Sequence, residues 1–154
     1  MSELRVPTLR QEASVDYIGG VLTGSIFLPP LSSLHSGPPQ PDEWINQPET
    51  FFPFLPEGAE RAIILNKERV RALTIRLNPG IAIREDDEPF ALPITVICGD
   101  REIRGSVVIE MSHQHTRLLD YMNMRSVFIP IWAEDALHLI RKSCITKVFE
   151  TEGV

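Results

Sequence analysis

Phe51-Phe52-Pro53-Phe54 and Phe128-Ile129-Pro130-Ile131 are two apolar blocks, each with proline in third place, set 77 residues apart. Working outward, Trp44-Ile45-Asn46 is answered by Tyr121-Met122-Asn123 at the same separation of 77. Upstream, Gly24-Ser25-Ile26 is answered by Gly105-Ser106-Val107 at 81. Downstream, Ile63-Ile64-Leu65-Asn66-Lys67 is answered by His138-Leu139-Ile140-Arg141-Lys142, with Val70 over Ile145, at 75. The order is preserved throughout. The drift in separation needs two loop-length changes, one in a proline-rich loop and one around Glu57-Gly58, and surface loops absorb such changes. Ordered self-similarity of this kind is the signature of an internal repeat. Each copy reads as strand, loop, short helical or turn segment ending in Asn, strand, turn, strand, turn, strand.

The blocks themselves read as strands. Val21 to Leu28, Ala62 to Leu65, Val70 to Leu77, Pro93 to Ile97, Ile103 to Met111, Val127 to Trp132 and Cys144 to Phe149 are short and rich in Val, Ile and Phe. Helix is scarce: Asp42 to Asn46 and Arg117 to Asn123 are candidates, and Asp135 to Arg141 suits helix or strand equally. Gly24 and Gly105, inside strand-like runs, mark places where a missing side chain lets a strand bend sharply. Pro29, Pro30, Pro38, Pro39 and Pro41 crowd one loop, and Asn78-Pro79-Gly80 followed by the acid run Glu85 to Glu88 punctuates the middle of the chain. The organisation expected is a first β repeat over residues 15–77, a Pro/Gly and acidic linker over 78–93, and a second β repeat over 94–150. Each repeat, at about sixty residues, is marginal alone, so the two are expected to pack face to face or to exchange strands.

Composition narrows the function classes. Of 154 residues, 43% are apolar and 23% charged, an ordinary globular balance that argues against disorder, collagen and coiled coil. Lys plus Arg number 15 against 21 Asp plus Glu, and the net charge of −6 is the wrong sign for coating nucleic acid or anionic lipid. The N-terminal residues mix charges and hold no signal-like apolar stretch, and no run approaches the roughly 20 residues that span a bilayer, so the cytoplasm, away from membranes, is the expected place. Cys98 and Cys144 lie in strand-like apolar segments and are expected as small buried hydrophobes.

Two segments of the second copy resemble the Sm family. Ile140-Arg141-Lys142-Ser143-Cys144-Ile145 is similar to the second Sm motif, Ile-Arg-Gly-x-x-Ile, with Lys142 where the glycine stands. Ile103-Arg104-Gly105-Ser106-Val107 followed by Asp120-Tyr121-Met122-Asn123 resembles the first. The resemblance implies a small, strongly bent five-stranded barrel of the SH3-like or Sm-like kind, two such barrels in tandem or one fused barrel, in a mainly β chain with few short helices. It also implies assembly into rings that bind single-stranded RNA, with Tyr121, Asn123, Arg141 and Lys142 as the ligand-contacting residues.

Chemical signatures are few. His113 and His115 would face one side if their strand continued, which makes a possible two-ligand metal element near Glu110 and Asp120, but metal sites need three or four fixed ligands and an exposed polar loop is the expected reading. No nucleophile elbow and no phosphate-binding glycine loop is present, so no catalytic residue is assigned, no cofactor is expected and an enzyme is not the first reading. Asn46 and Asn123 suit local backbone hydrogen bonding at matched turns, and Lys67 and Lys142 suit solvated turns. The aromatic block mostly fills two small cores, with Trp44, Phe54 and Trp132 as candidates for facing a partner. The function expected is a non-catalytic binding or regulatory module that recognises another protein or itself, as a homo-oligomer, through strand edges and an aromatic seam. Single-stranded RNA binding is the alternative, disfavoured by net charge, and a metal-dependent enzyme built on His113, His115 and Asp120 comes third.

Overall fold

Side chains that alternate apolar and polar with a period of two form strands with one buried face. In the second strand of the chain Gly24, Ile26 and Leu28 turn inward while Thr23 is exposed and Ser25 and Phe27 are half-buried. The computed structural model describes residues 9–28, 41–76, 91–109 and 118–151. The chain divides into two units, 1–75 and 76–154. Among the described residues the structure is mainly β, with two short α-helices.

The first unit runs β1 (Leu9–Tyr17), β2 (Gly20–Leu28), α1 (Pro41–Ile45), β3 (Phe51–Pro56), β4 (Ile63–Asn66), a single 3-10 turn (Lys67–Arg69) and β5 (Val70–Arg76). Its strands lie in the order β5-β1-β2-β3-β4, and the pairs are antiparallel. Val15, Ile26, Phe54 and Leu73 are fully enclosed, each burial contributing about 1.5–3 kcal/mol. α1 opens with proline, whose missing N–H costs nothing at a first helical position. It buries Trp44 and Ile45, and the Trp44 ring meets Phe52 edge-on at 5.3 Å between centroids.

The second unit runs β6 (Ala91–Cys98), β7 (Arg101–Val108), α2 (Leu118–Met122), β8 (Phe128–Trp132), β9 (Ala136–Arg141), a 3-10 turn (Lys142–Cys144) and β10 (Ile145–Glu150). The order is β10-β6-β7-β8-β9, again antiparallel. Ile94, Val107, Phe128, Ile131, Leu139 and Ile140 fill its interior. Thr95, also buried, shares a hydroxyl hydrogen bond of 2.7 Å with Thr151.

Registers at matched positions agree between the units. Ser25 stands opposite Leu55, and Ser106 opposite Trp132. Phe51 pairs with Asn66, and Phe128 with Arg141. Gly24 and Gly105 share one reason for being glycine. A Cβ on Gly24 would collide with the carbonyl oxygen of Leu55, and one on Gly105 would stand 2.7 Å from that of Trp132. Both glycines therefore admit the backbone of the next strand.

Several sequence expectations change. The stretch from Asp135 to Arg141 resolves as strand over Ala136–Arg141, and β1 extends back to Leu9 over a stretch whose pattern gave no strand signal. Cys98 is buried at the end of β6, whereas Cys144 sits half-exposed in a 3-10 turn; neither is in a disulfide. Lys67 is not a solvated turn residue: it is 6% exposed.

Candidate functional site

β4 pairs with β3 on one side and ends its unit's strand order. Pro53 stands directly opposite Ile64, and Phe51, two residues along β3, points to the same side. Phe52 and Phe54 take the other side and are buried. The outer side consequently presents Phe51, 58% exposed, the exposed Pro53 and Ile64, 73% exposed. A short terminal strand with large apolar residues facing water offers unpaired backbone groups and apolar area together.

The residues expected to contact a ligand gather where α2 runs into β8. The Asn123 N–H donates to Leu119 O at 3.1 Å and the Met124 N–H to Tyr121 O at 3.2 Å, closing the helix. Lys142 donates its backbone N–H to Val127 O at 2.9 Å and its ammonium to Met124 O. Arg141 lays its guanidinium 4.6 Å from the Phe128 ring centroid, within cation–π range. Tyr121 is half-buried and Asn123 exposed.

The first unit builds the same clasp. The Lys67 backbone N–H donates to Thr50 O at 2.7 Å and its ammonium to Gln47 O at 3.1 Å, with the Trp44 ring centroid 5.5 Å away. Burial lowers the Lys67 pKa from its ordinary 10.5, and the Glu49 carboxylate acts in the opposite direction. Burial also lowers that of Lys142. Each lysine thus ties down the connection from helix to strand with two donors, one from the main chain and one from the side chain. Nothing in the sequence except the recurrence of lysine itself pointed to this.

Trp44 and Phe54 lie in the first unit's core, and Trp132 is half-buried on β8 between Ser106 and Leu137. His113 and His115 lie outside the described residues, and among the described residues no group of three or more His, Cys, Asp or Glu could hold a metal ion. His138, which sequence reasoning passed over, is half-buried on β9; burial and the Arg101 cation lower its pKa below 6.5, and Asp135 opposes them. Asn66 was also passed over as a cap: its side chain accepts the Glu68 N–H at 2.9 Å and starts the 3-10 turn. Among the described residues no helix is long and apolar enough to cross a membrane. Compared with known proteins, the chain matches no family model, no curated protein and no solved structure.

Proposed function

We propose that the chain is a non-catalytic protein-binding module made of two copies of one small β unit of the SH3-like or Sm-like kind, and that it associates through the free edge of β4, first of all with a second copy of itself. The observation that carries the reading is the terminal β4 strand with Phe51 and Ile64 turned to water beside its open backbone groups. Strand addition at such an edge supplies main-chain hydrogen bonds, and alternate side chains supply selectivity. The agreement of strand order, register, glycine position and lysine clasp supports the two-copy reading.

Hydrogen exchange at the Ile63–Asn66 amides, compared between dilute and concentrated protein, tests the edge. Slower exchange at high concentration, confined to β4 and its neighbours, is expected. Exchange independent of concentration, with no protein partner retained in a pull-down, would overturn it. RNA binding through Tyr121, Asn123, Arg141 and Lys142 is less well supported, because Arg141 lies over Phe128 and Lys142 holds the Met124 carbonyl.

A further inference from the structure

We infer that the strand added to β4 is β10 of a second copy, so that copies of the chain associate head to tail, the fourth strand of one first unit meeting the fifth strand of another second unit. This rests on the reading of β4 as an association edge and names the partner at that edge. β10 pairs with β6 on one side and ends its unit's strand order. Thr146, Lys147, Phe149 and Glu150 are exposed along it, and the Phe149 ring is left 43% in water. β10 therefore shares two properties with β4, an end position in its sheet and uncovered apolar area.

The matched registers supply an internal control. Pro53 opposite Ile64 in the first unit corresponds to Pro130 opposite Leu139 in the second, and Phe51 corresponds to Phe128. Phe51, Pro53 and Ile64 are exposed, whereas Phe128 and Leu139 are fully buried and Pro130 is half-buried. The fifth strands match as closely. Val15 opposite Leu73 and Tyr17 opposite Val70 correspond to Val96 opposite Val148 and Cys98 opposite Ile145. Here the exposure is reversed: Val70, Ala72, Leu73 and Ile75 of β5 are buried, while their counterparts Ile145, Lys147, Val148 and Glu150 are half-buried or exposed.

In every chain, then, one fourth strand (β9) and one fifth strand (β5) are largely buried, and one of each kind, β4 and β10, stands open. Addition of β10 to β4 uses both open strands, whereas β4 against β4 would leave every β10 uncovered. Such a contact has two unequal sides and repeats from copy to copy. Charge permits it: Ile63 to Asn66 carry none, so Lys147 and Glu150 of the incoming strand meet no like charge on β4. The same two residues stand where β5 carries Ala72 and Ile75, and they keep the open strand hydrated in the free chain. Main-chain hydrogen bonds join the two strands, with Phe149 supplying apolar area to the contact.

The test is sedimentation velocity of the full chain and of two variants at exposed positions, Ile64→Lys on β4 and Phe149→Lys on β10. Each variant alone should be a monomer at concentrations where the parent associates, with Kd raised about tenfold or more. Mixed in equal amounts, the two should form a dimer and nothing larger, because the intact β10 of the first meets the intact β4 of the second and both remaining sides are blocked. Far-UV circular dichroism checks that each variant is folded, and Glu150→Lys serves if Phe149→Lys is not. The proposal is overturned if the β10 variant associates like the parent while Ile64→Lys does not, a result that leaves the β4 edge standing with another occupant, or if the mixture stays monomeric. A parent that is monomeric throughout, or Ile64→Lys associating like the parent, overturns the β4 reading and this proposal with it.

Discussion

Replacing Gly24 by alanine adds one carbon atom where the Leu55 carbonyl oxygen already stands. Restoring ordinary contact requires β3 to retreat from β2 by roughly 1 Å or more, in an interior packed at crystal density. Three register pairs join these strands, Gly24 with Pro56, Ser25 with Leu55 and Ile26 with Phe54. Loosening their hydrogen bonds at about 0.5–1.5 kcal/mol each, together with disturbing the fully enclosed Phe54, brings the cost to about 2–4 kcal/mol. A unit of this size has about 4–11 kcal/mol in total. At about 4–8 °C per kcal/mol, Gly24→Ala should lower Tm by about 8–32 °C. Gly105→Ala meets the Trp132 carbonyl oxygen at 2.7 Å and the movable Ile131 Cγ2 at 2.6 Å, so its cost is smaller, about 1–2 kcal/mol. Thermal and urea melts of both variants measure this. If Gly24→Ala melts within a few degrees of the parent, or Gly105→Ala is the worse of the two, the close approach of β3 to Gly24 is refuted.

Lys67→Met keeps the apolar stem but leaves the Gln47 carbonyl without its ammonium donor, at a cost of about 1–2 kcal/mol in urea melts. Because the folded pKa lies below 10.5, the penalty of burying the charge is present below that pKa and fades as pH rises toward 10.5, so parental stability should rise across that window and the variant's should not. His138 has a folded pKa below 6.5, so its contribution is complete above 6.5 and is lost as pH falls through the folded value; His138→Gln should flatten the acid side of the stability profile. Asn66→Ala should cost about 0.5–2 kcal/mol through loss of the bond to the Glu68 N–H, measured by denaturant melts, while Asn123→Ala, at an exposed position, stays within about 0.5 kcal/mol.

Most of the strand pattern was legible because β-branched blocks between turn signals have one physical meaning. β2, β5, β6, β7, β8 and β10 all fall on such blocks. β1 escaped because its inward positions carry half-buried Gln11 and small Ala13 before Val15, too little apolar contrast to register. β9 was ambiguous because Leu137, Leu139 and Ile140 fit the alternation of a strand and the i, i+3 spacing of a helix alike. The lysine clasps were not legible. Lysine at a turn ordinarily reads as solvated, and only the carbonyls of residues 47, 50, 124 and 127 reveal why it sits there. The exposed side of β3 and β4 was equally hidden, because nothing in the apolar blocks around Phe51 and Ile64 marks an outward face; the register of Phe51 with Asn66 and Pro53 with Ile64 turns them outward.

Sedimentation velocity of the parent and of Ile64→Lys over a range of concentrations tests edge association most directly. Ile64 is 73% exposed, so a lysine there should change stability by no more than about 0.5 kcal/mol while placing a charge on the terminal strand. The expected result is a parent whose sedimentation coefficient rises with concentration and a variant that remains a monomer with an unchanged melting temperature. A parent that stays monomeric at every concentration, or a variant that associates as strongly as the parent, would contradict association through β4.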